Sequence, residues 1–442
     1  MDGHAFTTPS EPQPEPEVIR AAALIDAWEG SGGYLESARA ELETALKRNP
    51  KSATAYREYA RYYLVSEPDI SGQPVLGSLD AALMSVDRAI ELAPGFARAY
   101  VLRGHVLTLM GRLDQADAAL DKADAIGTDD PWLALNRARL RMRQGKLTEA
   151  SELCRDVSGR SQVRRIRLSA DECLVDFYEA TGQFQRMDDT YRHMLTYASD
   201  SAWMRGNYSG YLLCVKSDEA GAVREARAAL AIMDYGNARF LLASALYRSW
   251  ATQWEAGRQE QAQPLLDEAR GLIDASPAQV VAASCGGKKV VAALRALYRS
   301  GQLHPQPAID AIALAATRRD GAPGVFEVHV RGTGSDEEFV YANTMADYRD
   351  PASLTISFTN EAAQALAKSR GGVARELLMD KRLVVAGFVR RQRIDFLREG
   401  RPTGRYYYQT HLSVTDPEQV LELGTSTGVS VPATTNQDSA LP

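Results

Sequence analysis

From residue 19 to about residue 320 the apolar positions recur every three or four residues, the spacing of amphipathic helices. Ala, Leu and Arg dominate this stretch. From about Gly324 the pattern changes to short alternating runs rich in Val, Tyr, Phe and Thr, which are strand signals. Gly321-Ala322-Pro323-Gly324 marks the change. The alternation predicts strands at Val325–Arg331, Glu338–Thr344 and Ser353–Thr359. A helix follows at Asn360–Ala367 and continues past Gly371-Gly372 into Val373–Met379. Two long strands close the series, Arg382–Leu397 and Arg405–Thr415. Neither end of the chain supports an apolar face. Residues 1–18 carry prolines at 9, 12, 14 and 16 and a net charge of −4, and residues 425–442 are rich in Ser, Thr and Pro. Both read as disordered tails. The predicted organisation is an acidic tail (1–18), a helical domain (19–320), a β domain (321–424) and a second tail (425–442).

The helical part repeats. Gly111, Leu113, Ala116 and Leu120 return 34 residues later as Gly145, Leu147, Ala150 and Cys154. Ala116, Leu120 and Ala123 are preceded by Ala82, Val86 and Ala89, again 34 residues away. The next step back, to Ala38, Leu42, Ala45 and Pro50, is 44 residues. One insertion of ten residues (44 − 34) accounts for the difference. It falls in the turn-rich segment 66–76 between the two helices of one repeat. A fixed period at positions that a helix pair would bury indicates a stacked array of such pairs. Weaker matches at Gly182, Ala226 and Gly257 bring the expected number to about seven pairs. Helices near 278–300 and 306–318 are expected to cap the stack.

These residues resemble the tetratricopeptide repeat family. The first helix carries an aromatic and a small residue, here Tyr100 and Gly104. The second carries Ala116, Leu120 and Ala123, and Pro50 and Pro94 close units. The resemblance implies an α-solenoid whose first helices line a concave groove that binds a protein or peptide. Its groove positions are Arg57, Arg61, Arg98, His105, Arg139 and Arg143. Guanidinium groups gathered there favour an acidic ligand, since they fork onto carboxylates. Solvated arginines, or arginines paired with neighbouring Glu and Asp, are the bland alternative. The Lys and Asn pair that clamps a terminal carboxylate in some members is missing at matching positions. The acidic tail 1–18 is itself a candidate internal ligand.

The order of three strands, a helix and two strands resembles an OB-fold, a small five-stranded barrel. Another small β-barrel is the rival. Between Lys381 and Arg405 lie eight basic and two acidic residues, a net of +6 (8 − 2), with aromatic residues interleaved. Arg390, Arg391, Arg393, Arg398, Arg401, Arg405, Tyr406 and Tyr408 are candidates for an anionic ligand. Single-stranded nucleic acid is the specific alternative: cations track phosphates while rings stack on bases. An edge that repels other sheets is the structural alternative. The whole segment 324–424 has 13 Lys and Arg against 14 Asp and Glu, so the basic character is local.

Composition narrows the remaining choices. The chain has 442 residues, 45% hydrophobic and 24% charged, with a net charge of −6, which excludes a globally basic nucleic-acid binder. Met1-Asp2-Gly3-His4-Ala5-Phe6 lacks the features of a signal peptide, and no apolar run is long enough to span a bilayer. Cys154, Cys173, Cys214 and Cys285 have no C-x-x-C spacing, so neither a disulfide framework nor a zinc site is expected. A cytoplasmic location without membrane contact is the resulting expectation. The six histidines are scattered, and no catalytic motif stands out. Gly286-Gly287-Lys288-Lys289 lacks the earlier glycine and the Ser or Thr of a phosphate loop. Asp347, Arg349 and Asp350 suggest a nuclease only distantly and read better as a turn. Nothing calls for a catalytic residue, a metal or a cofactor. The sequence therefore predicts a non-enzymatic adaptor: a partner protein in the groove, the barrel as a second contact.

Overall fold

The computed structural model describes residues 11–28, 33–66, 76–275, 277–282, 288–317, 321–398 and 401–425. They fall into two compact units, Met1–Leu242 and Ala243–Pro442.

The first unit is a TPR-like solenoid of helix pairs. The pairs are α1 (Pro16–Ala27) with α2 (Tyr34–Arg48), α3 (Ala53–Ser66) with α4 (Leu76–Leu92), and α5 (Ala97–Leu109) with α6 (Leu113–Ile126). They continue with α7 (Trp132–Arg143) and α8 (Leu147–Arg160), α9 (Arg164–Ala180) and α10 (Phe184–Tyr197), and α11 (Ala202–Tyr211) and α12 (Glu219–Ile232). A π turn at Leu212–Lys216 prolongs α11. The unit boundary falls inside α13 (Gly236–Glu255), whose sequel is α14 (Gln259–Leu272).

The sequence repeat has a direct structural cause. Ala82, Val86, Ala89, Ala116, Leu120, Ala123, Ala150 and Cys154 are all fully buried between helices. Gly111 (φ +73°) and Gly145 (φ +76°) end α5 and α7 in the left-handed conformation that only glycine adopts cheaply. Gly104 lets α5 cross α6 closely: a Cβ there would stand 2.5 Å from a Leu120 methyl. α1, α3, α5 and α7 each pack on their partner and also on the next first helix, so α1, α3, α5, α7 and α9 lie side by side along one surface. The segment 67–75, which holds most of the inserted residues, lies outside the described residues, as does the tail 426–442.

Two expectations are corrected here. Cys154 of α8 and Cys173 of α9 form a disulfide. They lie 19 residues apart, so no local motif announces them; the antiparallel return of α9 along α8 brings their Cα atoms to 6.2 Å. Residues 11–18, expected in a disordered tail, hold fixed positions. Glu15 accepts hydrogen bonds from Asn49, Ser52 and Thr54 at the start of α3. Glu11 accepts from the Arg98 backbone N–H at the start of α5. Both carboxylates sit where exposed helix N–H groups and the helix dipole favour negative charge.

The second unit is a curled sheet, a half-barrel, with helices on both faces. Its elements are α15 (Pro277–Ala282), α16 (Lys288–Arg299), β1 (Gln306–Pro307), α17 (Ala308–Thr317), β2 (Ala322–His329), β3 (Gly332–Ser335), β4 (Phe339–Asn343) and β5 (Leu354–Thr359). Then come α18 (Asn360–Arg370), α19 (Ala374–Leu378), β6 (Lys381–Arg398), β7 (Arg401–Val414) and β8 (Val420–Thr425). The order is β1-β2-β6-β7-β5-β4-β3, with β8 also on β6. One edge of β6 thus serves two strands, β8 at residues 381–385 and β7 from 389 onward. Gln419 fills the fork: its side chain donates to the carbonyls of Ala386 and Ser413 and accepts from the Thr415 N–H.

Helices 278–300 and 306–318 were expected to cap the solenoid. α15 and α16 do meet α13 and α14, through Ser244 on the Val281 carbonyl, Arg295 on Glu255 and Arg270 on Gln302, but α15, α16 and α17 also pack against β2 and β6. Ala311 and Ala315 of α17 are buried with Phe326, Ile356, Phe358 and Leu412 in the core of the sheet. Arg295 and Tyr298 of α16 pair with Glu418 and Glu422. An amphipathic helix reads the same from sequence whichever partner covers its apolar face.

Candidate functional site

The groove side chains come from one position repeated in successive first helices. Arg61 of α3 is followed 44 residues on by His105 of α5, 34 further by Arg139 of α7 and 33 further by Glu172 of α9. A second row holds Arg98, Trp132 and Arg165, and a third continues from Arg143 to Asp176. Of these, Trp132, Arg165, Glu172 and Asp176 escaped the sequence analysis. The period could have found them, but it slips from 34 to 33 at α9 and the charge changes sign there.

The arginines near the N-terminal end are already partnered. Arg57 and Arg61 both bind the buried Glu58. Arg61 and Arg165 both donate to Asp26 at the end of α1. Against the cost of burial, those two arginines hold the Asp26 carboxyl below its usual range. Arg98 pairs with Glu11 at 3.1 Å and Asp129 at 3.6 Å. For Arg57, Arg61 and Arg98 the bland alternative, internal pairing, is what the structure displays.

The middle of the groove differs. Arg139 stacks on Trp132 with its guanidinium carbon 5.9 Å from the ring centre, and Arg165 approaches the same ring at 5.9 Å. His105 lies beside Arg139. Burial, with help from Arg139, pushes its imidazole down to about 3, so it is neutral at ordinary pH. Its Nδ1 has no hydrogen-bond partner in the structure. On the far side of Arg139, burial pushes Glu172 up to about 7, while Arg139 opposes the shift. The groove remains open: Glu172 is half-buried, and Asp176 and Arg143 are exposed. The result is a ribbon of polar groups, guanidinium at α7 and carboxyl at α9, where the Glu172 carboxyl is only partly ionised near pH 7.

In the second unit the hairpin β6–β7 carries the other candidates. Arg390, Arg391, Arg393, Arg405, Tyr406 and Tyr408 are all exposed. Arg390 extends over Gly321, on the opposite face from Arg391 and Arg393. Arg398 and Arg401 pair through their backbones at the tip, and their side chains lie outside the described residues.

Behind the hairpin runs a polar row: Asn343, Thr355, Gln409, His411 and Ser357. Thr355 donates to the Asn343 side chain, and Gln409 donates to Thr355 and to the Tyr348 carbonyl. His411 Nδ1 lies 2.9 Å from Ser357 Oγ and its Nε2 lies 2.8 Å from Gln409 Oε1. This is not the geometry of an activated serine. Ser357 is buried, burial pushes His411 down to about 4, and an amide stands where a carboxylate would orient the ring. Asp347 and Asp350 accept from the backbone N–H groups of Arg349 and Ala352, which fixes them as turn residues. Gly286 and Gly287 lie outside the described residues, and α16 opens at Lys288. Among the described residues, no three His, Cys, Asp or Glu side chains gather to hold a metal ion, and no helix is long and apolar enough to cross a membrane.

Residues 97–126, the pair α5–α6, match the tetratricopeptide repeat family model. Similar solved structures include a thermophilic tetratricopeptide protein of Thermus thermophilus, at 20% identity over 45% of this chain and 97% of that one, TM-score 0.37. Another is a tetratricopeptide repeat protein of Parabacteroides merdae, at 17% identity over 56% and 84% of the two chains, TM-score 0.38. The human IFIT1 dimer with m7Gppp-AAAA is similar at 14% identity over 58% and 71%, TM-score 0.34. No curated protein matches the chain.

Proposed function

We propose that this protein is a non-enzymatic adaptor whose solenoid holds an extended segment of a partner protein in its groove. The observation that carries this reading is the continuous row Arg61, His105, Arg139 and Glu172 across four neighbouring first helices. Because Arg57, Arg61 and Arg98 are internally paired, the available charge is centred on Arg139 and Arg143, with Glu172 and Asp176 beyond. The fitting ligand therefore carries an acidic side chain toward α7 and a basic one toward α9, rather than acid throughout. Trp132 supplies an aromatic face between them. The half-barrel is the second contact, and linking two binding modules raises the effective concentration of one client near the other.

The test is a photo-crosslinking amino acid placed at position 143, in the groove, and at position 84, on the exposed Met84 of α4. Expressed in the native host, the groove probe captures a discrete partner that the outer-face probe does not. Exchanging the charges with Arg139→Glu and Glu172→Lys abolishes that capture. Equal capture from both positions, or none from the groove, refutes the proposal.

A further inference from the structure

At the base of the β6–β7 hairpin, Val389 faces Leu412, and both are fully buried in the sheet core. Outward on that face come Arg391 and Arg393 on β6 and, past the buried Thr410 opposite Arg391, Tyr408 and Tyr406 on β7. Arg393 lies directly opposite Tyr408, and Asp395 opposite Tyr406. Each arginine leans along the diagonal. Arg391 places its guanidinium carbon 4.0 Å from the centre of the Tyr408 ring, and Arg393 stands 4.2 Å from that of Tyr406. The two rings meet edge to face at 5.6 Å, with Tyr406 48% and Tyr408 44% exposed. The core face thus continues into solvent as two rungs, each a cation held on an aromatic ring. Successive rungs lie about 6.8 Å apart, two residues along a strand.

Two costs need explaining. Large rings left in water forgo burial, and parallel cations repel. Asp395 offsets part of the second, binding Arg393 at 2.8 Å. Among the described side chains of 390–396 and 405–408, four arginines (390, 391, 393 and 405) still oppose one carboxylate, a net of +3 (4 − 1). Phe396 packs on Tyr407 on the other face, with ring centres at 5.4 Å. The ladder is therefore not needed to keep that side of the hairpin covered.

We propose that the Arg391–Tyr408 and Arg393–Tyr406 rungs dock single-stranded nucleic acid, the arginines meeting successive phosphates and the rings stacking on bases. A polymer that alternates charge with a planar apolar face fits a surface with the same alternation. An acidic polypeptide would use the cations and leave the rings without a role. This surface is separate from the solenoid groove, so its test does not depend on the adaptor reading.

The experiment is fluorescence anisotropy of the full chain with fluorescein-labelled oligo-dT and oligo-U of about 15 nucleotides. It is run between about 50 and about 200 mM salt. The native protein binds, and binding weakens as salt rises. Arg391→Ala with Arg393→Ala flattens the log–log salt slope by about 1.4, two phosphates at about 0.7 each on a single strand. Tyr406→Ala with Tyr408→Ala weakens binding at least about tenfold with the slope unchanged, because stacking carries no charge. Tyr406→Phe with Tyr408→Phe keeps the rings and keeps the affinity, which separates stacking from loss of fold. Absence of binding at low salt, or binding indifferent to all three double variants, overturns the proposal. So does an acidic protein that binds the native hairpin while oligonucleotides do not.

Discussion

Replacing Gly104 with Ala should be destabilising in the native protein and stabilising in a protein that also carries Leu120→Ala. The new methyl would stand 2.5 Å from Leu120 Cδ2 and 2.6 Å from its Cγ, well inside the contact distance of about 3.5 to 4.0 Å for two carbons. Leu120 is fully buried and sits within a cluster with Leu107, Ala116 and Leu140, so it cannot swing into solvent. Two terms compete. Ala is favoured over Gly inside a helix by about 1 kcal/mol. Overpacking a filled core costs about 1 to 3 kcal/mol. The clash is deep and Leu120 is hemmed in, which places the overpacking cost in the upper part of that range and the net loss at about 1 to 2 kcal/mol. Leu120→Ala alone opens a cavity and costs about 2 to 5 kcal/mol. In that background the methyl at 104 enters vacated space, the clash is gone, and the helix preference of about 1 kcal/mol remains. Urea denaturation followed by far-ultraviolet circular dichroism, with amide-exchange protection of α5 and α6, measures all four proteins. Exchange is needed because repeat arrays can open locally. An effect of Gly104→Ala with the same sign in both backgrounds refutes the close-crossing argument.

Other outcomes can be checked as directly. Breaking the Cys154–Cys173 bridge with Cys154→Ser should cost about 3 kcal/mol, the loop-closure value for 19 residues; a melting temperature indifferent both to reductant and to the substitution would count against the bridge. Glu172 has a folded pKa raised to about 7 from the usual 4.5. Its contribution is therefore fully present below pH 4.5 and is lost as pH rises through 7. Comparing stability profiles of native protein and Glu172→Gln isolates this share from that of His105, which runs the opposite way, its contribution being lost as pH falls from 6.5 toward about 3; identical profiles would refute it. Removing residues 1–15 deletes Glu11 from Arg98 and Glu15 from α3. Affinity for a groove partner should rise, and unchanged affinity would exclude the segment as a competitor.

The solenoid was legible because its geometry is written in residue size. Small residues at 104, 116 and 150 and large ones at 120 recur with the helix pair, and each is buried where the period places it. The strands were legible because Leu354, Ile356 and Phe358 alternate with Thr355 and Ser357. What could not be read was which surface meets which. The apolar face of α17 does not name β2 as its cover, and Cys154 does not name Cys173. In the groove, Arg57, Arg61 and Arg98 were visible, but not the carboxylates of Glu58, Asp26 and Glu11 that engage them. Two of those three, Asp26 and Glu11, are far away in sequence. The hairpin fared better: its basic and aromatic candidates were read from the sequence, and alternation along a strand then fixes which of them share a face.

The row from Arg61 to Glu172 is not symmetric along its length. A segment with an acid at one end and a base at the other fits it in one sense and is repelled in the other. On the proposed reading, the solenoid would impose a direction on what it holds, so the free end of a bound chain would always leave by the same side. An adaptor of the proposed kind would set not only which molecules are brought together but the order in which their parts are presented.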